Sequence, residues 1–194
     1  MARAWPEAIR MNLLDDSLSA DLARQGRGLD DAMHQRFEAL AAYAESTGAQ
    51  GILFTCSAFG SCIEAVAARR PHMPVLKPNE AMIDDVAGVE GPVGLIASFA
   101  PTLVSMPPEF PASVVLRTAL ADSAMAALDK GDAQAHDAQV VEAARRLAAE
   151  GCQAIALAQF SMARAAPAVA AAVGLPVFTT PGSAVARLRR QLAI

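Results

Sequence analysis

The stretch Gly51-Ile-Leu-Phe-Thr-Cys-Ser-Ala-Phe-Gly60 places a cysteine where an apolar run gives way to small polar residues. A thiol at such a strand-to-helix junction can act as a base or nucleophile, because the first N–H groups of a helix lack intrahelical acceptors and lower the pKa of a neighbouring thiol. Free cysteine is also among the most buried residue types. It is therefore the position of Cys56, not its residue type, that makes it the leading candidate. Cys62 falls inside the helix that would follow and Cys152 lies ahead of a strand, so both read as packing. Three cysteines without framework spacing favour reduced thiols, and none pairs with histidines at a zinc-ligand spacing.

A second junction mirrors the first. When Gly48-Ala-Gln-Gly-Ile-Leu-Phe-Thr-Cys56 is set over Gly151-Cys-Gln-Ala-Ile-Ala-Leu-Ala-Gln159, Gly, Gln and Ile coincide at a constant offset. Met73-Pro-Val-Leu-Lys-Pro78 is echoed by Leu175-Pro-Val-Phe-Thr-Thr-Pro181. A repeat this long reads as two similar α/β lobes. It sets Gln159 in register with Cys56. A carboxamide cannot serve as a base at pH 7, so Gln159 is either an amide satisfied by backbone groups or a hydrogen-bond donor. Thr55, Ser57 and Ser161 suit helix N-caps, where a hydroxyl beside free N–H groups can also hold a carboxylate. Phe59, Phe99 and Phe160 are core candidates that could also wall an apolar pocket. Lys77 reads as a surface ion pair, and His34, His72 and His136 as solvated.

The elements that would position these groups are strands alternating with helices, the pattern of an α/β fold with parallel sheets. Candidate strands are Ala8 to Leu14, Gly51 to Thr55, Pro74 to Lys77, Val93 to Ala97, Ser113 to Arg117, Ala154 to Ala158 and Pro176 to Thr179. Apolar stripes predict helices over Asp31 to Glu45 and Asp137 to Glu150. Hydrophobic residues at 54% and charged residues at 19% exclude a disordered chain. A net charge of -4 with scattered Lys and Arg gives no footprint for nucleic acid or an anionic membrane. No apolar run approaches the ~18 residues of a spanning helix. A cytoplasmic protein with a small-molecule partner is the expectation.

Thr55-Cys-Ser-Ala-Phe59, the second junction at Gln159, Gly94-Leu-Ile-Ala-Ser-Phe-Ala-Pro-Thr102 and Leu14-Asp-Asp-Ser-Leu18 together resemble the aspartate/glutamate/hydantoin racemase superfamily, which includes maleate isomerase and arylmalonate decarboxylase. The resemblance runs from about Asn12 to Leu188. It implies two parallel-sheet lobes related by a pseudo-twofold, with the active site between them and no metal or organic cofactor. Lobes of residues 1–106 and 107–194 are expected, divided near Met106-Pro-Pro-Glu-Phe-Pro111, with the C-terminal helix packing back on the first. Family members usually begin with a further strand ahead of the segment matching Ile9 to Leu14. The first lobe is therefore expected to be one strand short, and its open edge to favour a homo-oligomer.

In the two-thiol members, one cysteine removes the Cα proton and the other returns a proton on the opposite face. Cys56 matches the first and Gln159 stands in place of the second, so the implied catalytic pair is a thiol and an amide. Thr55, Ser57, Ala58, Phe99, Thr102, Phe160 and Ser161 are the implied substrate-binding positions, for a carboxylate or hydantoin-like substrate. Racemisation or isomerisation is the activity the family implies. One-sided protonation after decarboxylation is the alternative, with the thiol at the first junction where the known decarboxylase keeps it at the second. Covalent addition of Cys56 to an activated double bond and a non-catalytic binder of small acids are the other readings.

Overall fold

A computed structural model describes residues 5–25 and 28–192. The elements are α1 (Ser17–Gln25), α2 (Asp31–Ser46), β1 (Ile52–Leu53), α3 (Gly60–Ala68), β2 (Val75–Leu76), α4 (Glu80–Ala87), β3 (Val93–Ala97), α5 (Thr102–Ser105), β4 (Leu116–Leu120), α6 (Ala124–Asp129), α7 (Ala133–Ala149), β5 (Ala154–Leu157), α8 (Ala166–Val173), β6 (Val177–Thr179) and α9 (Thr180–Gln191). All strand pairings are parallel. The fold is α/β, as the alternation of the sequence predicts. No described helix is long and apolar enough to cross a membrane.

The chain forms two compact units, one running to Pro78 and resuming at Val185, the other spanning Asn79–Ala184. This differs from the expected division at residue 106. The reason is strand pairing: β3 lies between β4 and β5 in one sheet, so Val93–Ala97 and the Pro-rich stretch after it belong with the C-terminal strands.

In the first unit β1 and β2 form a two-stranded sheet, with Ile52 opposite Val75 and Leu53 opposite Leu76. Alternation along a strand sends neighbouring side chains to opposite faces. Ile52, Phe54 and Val75 join Met33, Phe37, Phe59, Ile63 and Val66 from α2, α3 and the turn before it. Leu53 and Leu76 join Trp5, Val185 and Leu188 on the other face. Asp30 starts α2 by accepting the Met33 N–H at 3.0 Å, the capping contact that stabilises a helix N-terminus.

The expected strand over Ala8 to Leu14 is not formed. Ile9 is 95% exposed and Leu14 79%. Among the described residues no neighbouring strand completes a ladder for this segment, and without one its alternating apolar residues stay in solvent. Beyond it, Arg36 on α2 donates from Nε to Asp15 and from a terminal nitrogen to Asp21, each at 2.7 Å, fixing the Asp15-Asp-Ser-Leu18 stretch against the helix.

The second unit holds a four-stranded sheet in the order β4-β3-β5-β6. One face buries Ile96, Ile155 and Leu157 against Val140, Ala144 and Leu147 of α7 and Val169 of α8. The other buries Leu95, Ala97, Ala154 and Ala156 against Met82, Ile83 and Val86 of α4, with Met106 and Phe110. Burial on both faces is what makes β3 and β5 read as continuous apolar runs. Gly94 lets α7 approach: a Cβ there would stand 2.8 Å from Leu147 Cδ1 and 3.0 Å from Ile155 Cδ1.

Two boundaries differ from the sequence expectation. The fourth strand covers Leu116–Leu120 instead of Ser113 to Arg117, because a turn closed by the Val114 N–H on the Pro111 carbonyl occupies Ser113 and Val114. Helix α7 begins at Ala133, since Asp132 caps it by accepting the Ala135 N–H at 2.9 Å.

Candidate active site

Both junctions are built alike. After β1 the chain stays extended to Cys56 (φ -127°, ψ 121°), then turns into a 3-10 helix over Ser57–Phe59 that runs on into α3. After β5 it stays extended to Gln159 (φ -124°, ψ 147°), then turns into a 3-10 helix over Phe160–Ala165 that runs on into α8. The local backbone at the two positions is nearly the same, as the repeat implies. Neither residue directly precedes an α-helix, which corrects the expectation. A tight i→i+3 turn comes first and leaves its own opening N–H groups without helical acceptors.

At the first junction Thr55, Cys56 and Ala58 are exposed. The Ser57 side chain lies outside the described residues. Phe59 is a core residue at 2% exposure, with its ring 5.0 Å from that of Phe37. Cys62 and Cys152 are buried, and burial pushes both thiols above the ordinary cysteine range. Cys56 is the one exposed cysteine of the three. Lys77 pairs with Glu64 at 2.8 Å.

At the second junction the strand order sets the site. From β3 the chain passes to β4 on one side of the sheet, and from β5 to β6 on the other. The connections thus diverge between β3 and β5, and in open parallel sheets ligands gather beyond the carboxyl ends of the strands at such a switch point. Ser98 and Gln159 stand there, joined side chain to backbone. The Ser98 N–H donates to Gln159 Oε1 at 2.6 Å and the Ser98 hydroxyl donates to the same oxygen at 3.0 Å. Phe99 beside them is 48% exposed, Phe160 is half-buried and Ser161 exposed. Thr102 is half-buried and opens α5, its N–H bonded to the Phe99 carbonyl at 3.0 Å.

Of the residues expected to carry function, Thr55, Cys56, Ser57 and Ala58 belong to the first unit and Phe99, Thr102, Gln159, Phe160 and Ser161 to the second. Sequence reasoning missed Ser98, although it ends the Gly94-Leu-Ile-Ala run at a strand terminus. It also placed His136 in solvent. His136 is fully buried, with Nδ1 2.8 Å from Asp137 Oδ1. Asp137 also accepts Arg164 Nε at 2.9 Å, so α7 is tied to the 3-10 helix that follows Gln159. The hydrogen bonds from Arg164 and then His136 outweigh the burial of Asp137 and hold its carboxyl below the usual range. The face of α7 that carries His136 turns inward because the helix starts a turn earlier than its apolar stripe suggests.

A comparison with curated proteins finds no significant match. Among solved structures, the chain is similar to allantoin racemase from Klebsiella pneumoniae (22% identity, TM-score 0.66, covering 82% of this chain and 66% of that one). It is also similar to a glutamate racemase from Bacillus anthracis (13% identity, TM-score 0.60, 86% and 66%) and to arylmalonate decarboxylase (16% identity, TM-score 0.60, 82% and 76%). At these identities the likeness is one of fold, and the chain spans just under two thirds of either racemase. The profile of the Asp/Glu/Hydantoin racemase family matches residues 1–188. The chain belongs to the Asp/Glu/hydantoin racemase family.

Proposed function

We propose that this protein is a cofactor-independent enzyme that makes and quenches a carbanion next to a carboxylate or carbonyl, with Cys56 as its single proton-transfer thiol. The observation that carries the reading is the matched backbone of Cys56 and Gln159, which puts a thiol at one strand-to-helix junction and a carboxamide at the other. In isomerase chemistry the Cys56 thiolate takes the Cα proton. The C–H electron pair passes into the adjacent carbonyl as an enolate, inversion follows when solvent delivers a proton to the face opposite Cys56, and Cys56 gives its proton back to solvent. Gln159 serves as a hydrogen-bond donor to the ligand's oxygen, since its neutral amide cannot accept the proton. Thr55, Ser57, Ala58, Phe99, Thr102, Phe160 and Ser161 are the proposed substrate-contacting positions.

A one-sided reaction is the second reading, favoured by the fact that Ser98 occupies the only basic atom of the Gln159 side chain. A substituted malonate loses CO2, the C–C pair remains on Cα as the enolate, and Cys56 delivers the proton and is reprotonated from solvent.

Both readings are tested by proton NMR in D2O with amino acids, hydantoins, 2-aryl propionates and substituted malonates, wild type beside Cys56→Ala. Deuterium at Cα with loss of optical purity and without loss of carbon marks the isomerase, and CO2 release marks the decarboxylase. Either must vanish in the variant. Tight binding with neither reaction would make the protein a binder of small acids.

A further inference from the structure

A carboxamide has an accepting end and a donating end, and the structure leaves one of them open at Gln159. Ser98 is two residues beyond Ile96, whose carbonyl accepts the Ala158 N–H at 2.9 Å. In a parallel ladder alternate residues face the same neighbour, so the Ser98 N–H is the next donor directed at β5. The Gln159 side chain takes that rung. A backbone N–H can only donate, which fixes the oxygen of the amide toward Ser98, and the Ser98 hydroxyl fills a second lone pair of the same atom. The Nε2 group is directed the other way and makes no hydrogen bond among the described residues.

We infer that Ser98 is a positioning residue that turns Gln159 into a fixed donor, making the β3–β5 crevice selective for the oxygen of a carboxylate or carbonyl and refractory to an ammonium. A carboxylate gains a charge-assisted hydrogen bond from Nε2. An ammonium group there meets N–H against N–H, and the amide cannot turn its oxygen outward without breaking both Ser98 contacts. The inference rests on the carbanion reading for its ligand class and sharpens it. A free α-amino acid can meet Nε2 only through its carboxylate, never through its ammonium.

The test uses the full chain carrying Cys56→Ala, 15N-labelled, with phenylmalonate, 5-phenylhydantoin and benzylamine as probes. The Gln159 side-chain NH2 signals are assigned as the pair absent from Gln159→Glu. Phenylmalonate and 5-phenylhydantoin should shift that pair, and benzylamine should not. Gln159→Glu, which keeps an oxygen for Ser98 but presents a second oxygen to the ligand, should weaken phenylmalonate binding about tenfold or more. Ser98→Ala, which keeps the backbone N–H donor and removes the hydroxyl, should weaken it about threefold to tenfold and shift both NH2 signals, while Ser98→Thr restores both. Equal binding of phenylmalonate to Gln159→Glu, an equal response to benzylamine, or no binding of either oxygen probe would overturn the inference. Binding intact in a wild type that never turns over removes the Cys56 chemistry and leaves the donor standing. Turnover with unmoved Gln159 signals does the reverse.

Discussion

Phe59 and Phe37 stack with ring centroids 5.0 Å apart and planes tilted by 37°, joining the turn that carries Cys56 to the middle of α2. Both rings are 2% exposed. The position of the thiol thus depends on a core contact three residues along the chain. Phe59→Ala should cost about 3–5 kcal/mol of stability, the usual range for emptying a buried aromatic site. It should also lower any Cys56-dependent turnover more than it lowers the folded fraction. Urea unfolding and rates measured on the same samples check both.

Burial separates the thiols. Cys62 and Cys152 are closed off and their pKa values are pushed up, whereas Cys56 is open. In native protein at pH 8, iodoacetamide should label Cys56 first, and labelling of the other two should wait for unfolding. Peptide mapping after a short exposure reads this directly. Prompt labelling of Cys62 in folded protein would contradict the described packing.

Arg70 is 5% exposed and binds Glu38 at 2.7 Å and Glu45 at 3.0 Å. Hydrogen bonding by Arg70 holds the Glu38 carboxyl below its ordinary range. A carboxyl whose folded pKa is depressed contributes stability that is present above its unfolded pKa, about 4.3, and lost as pH falls through the folded value. Wild type should therefore lose stability on acidification below about pH 4 more steeply than Arg70→Leu. The gap between the two proteins should be widest at pH 7 and narrow toward acid, in urea unfolding at a series of pH values.

What the sequence made legible follows from periodicity. Helix α2 was visible through its apolar stripe, and β3 and β5 through unbroken apolar runs that only two-sided burial explains. The repeat aligned Cys56 with Gln159, and their backbone angles agree. Other features depend on partners distant in the chain. Residues 8–14 carry a strand-like pattern, yet a strand exists only beside another strand. The role of Ser98 depends on Gln159 reaching back across the sheet, a contact no local pattern encodes. His136 looked solvated because the Asp132 cap, which starts α7 early, was not recognised.

If Gln159 stands where a second thiol would complete two-sided proton transfer, Gln159→Cys should supply it. The variant should racemise an optically pure hydantoin or 2-aryl propionate faster than wild type, followed by polarimetry or chiral chromatography. A product mixture and rate identical to wild type would argue against functional equivalence of the two junctions.

The central claim is that one thiol, Cys56, moves the proton. The most direct measurement is the product formed in D2O from a prochiral aryl-substituted malonate, analysed at once for Cα deuterium by NMR and for handedness by chiral chromatography, in wild type and in Cys56→Ala. One thiol delivering from one face should give a singly deuterated product of one hand, with the variant silent. A deuterated product of both hands in equal amount, or turnover that survives in Cys56→Ala, would contradict it.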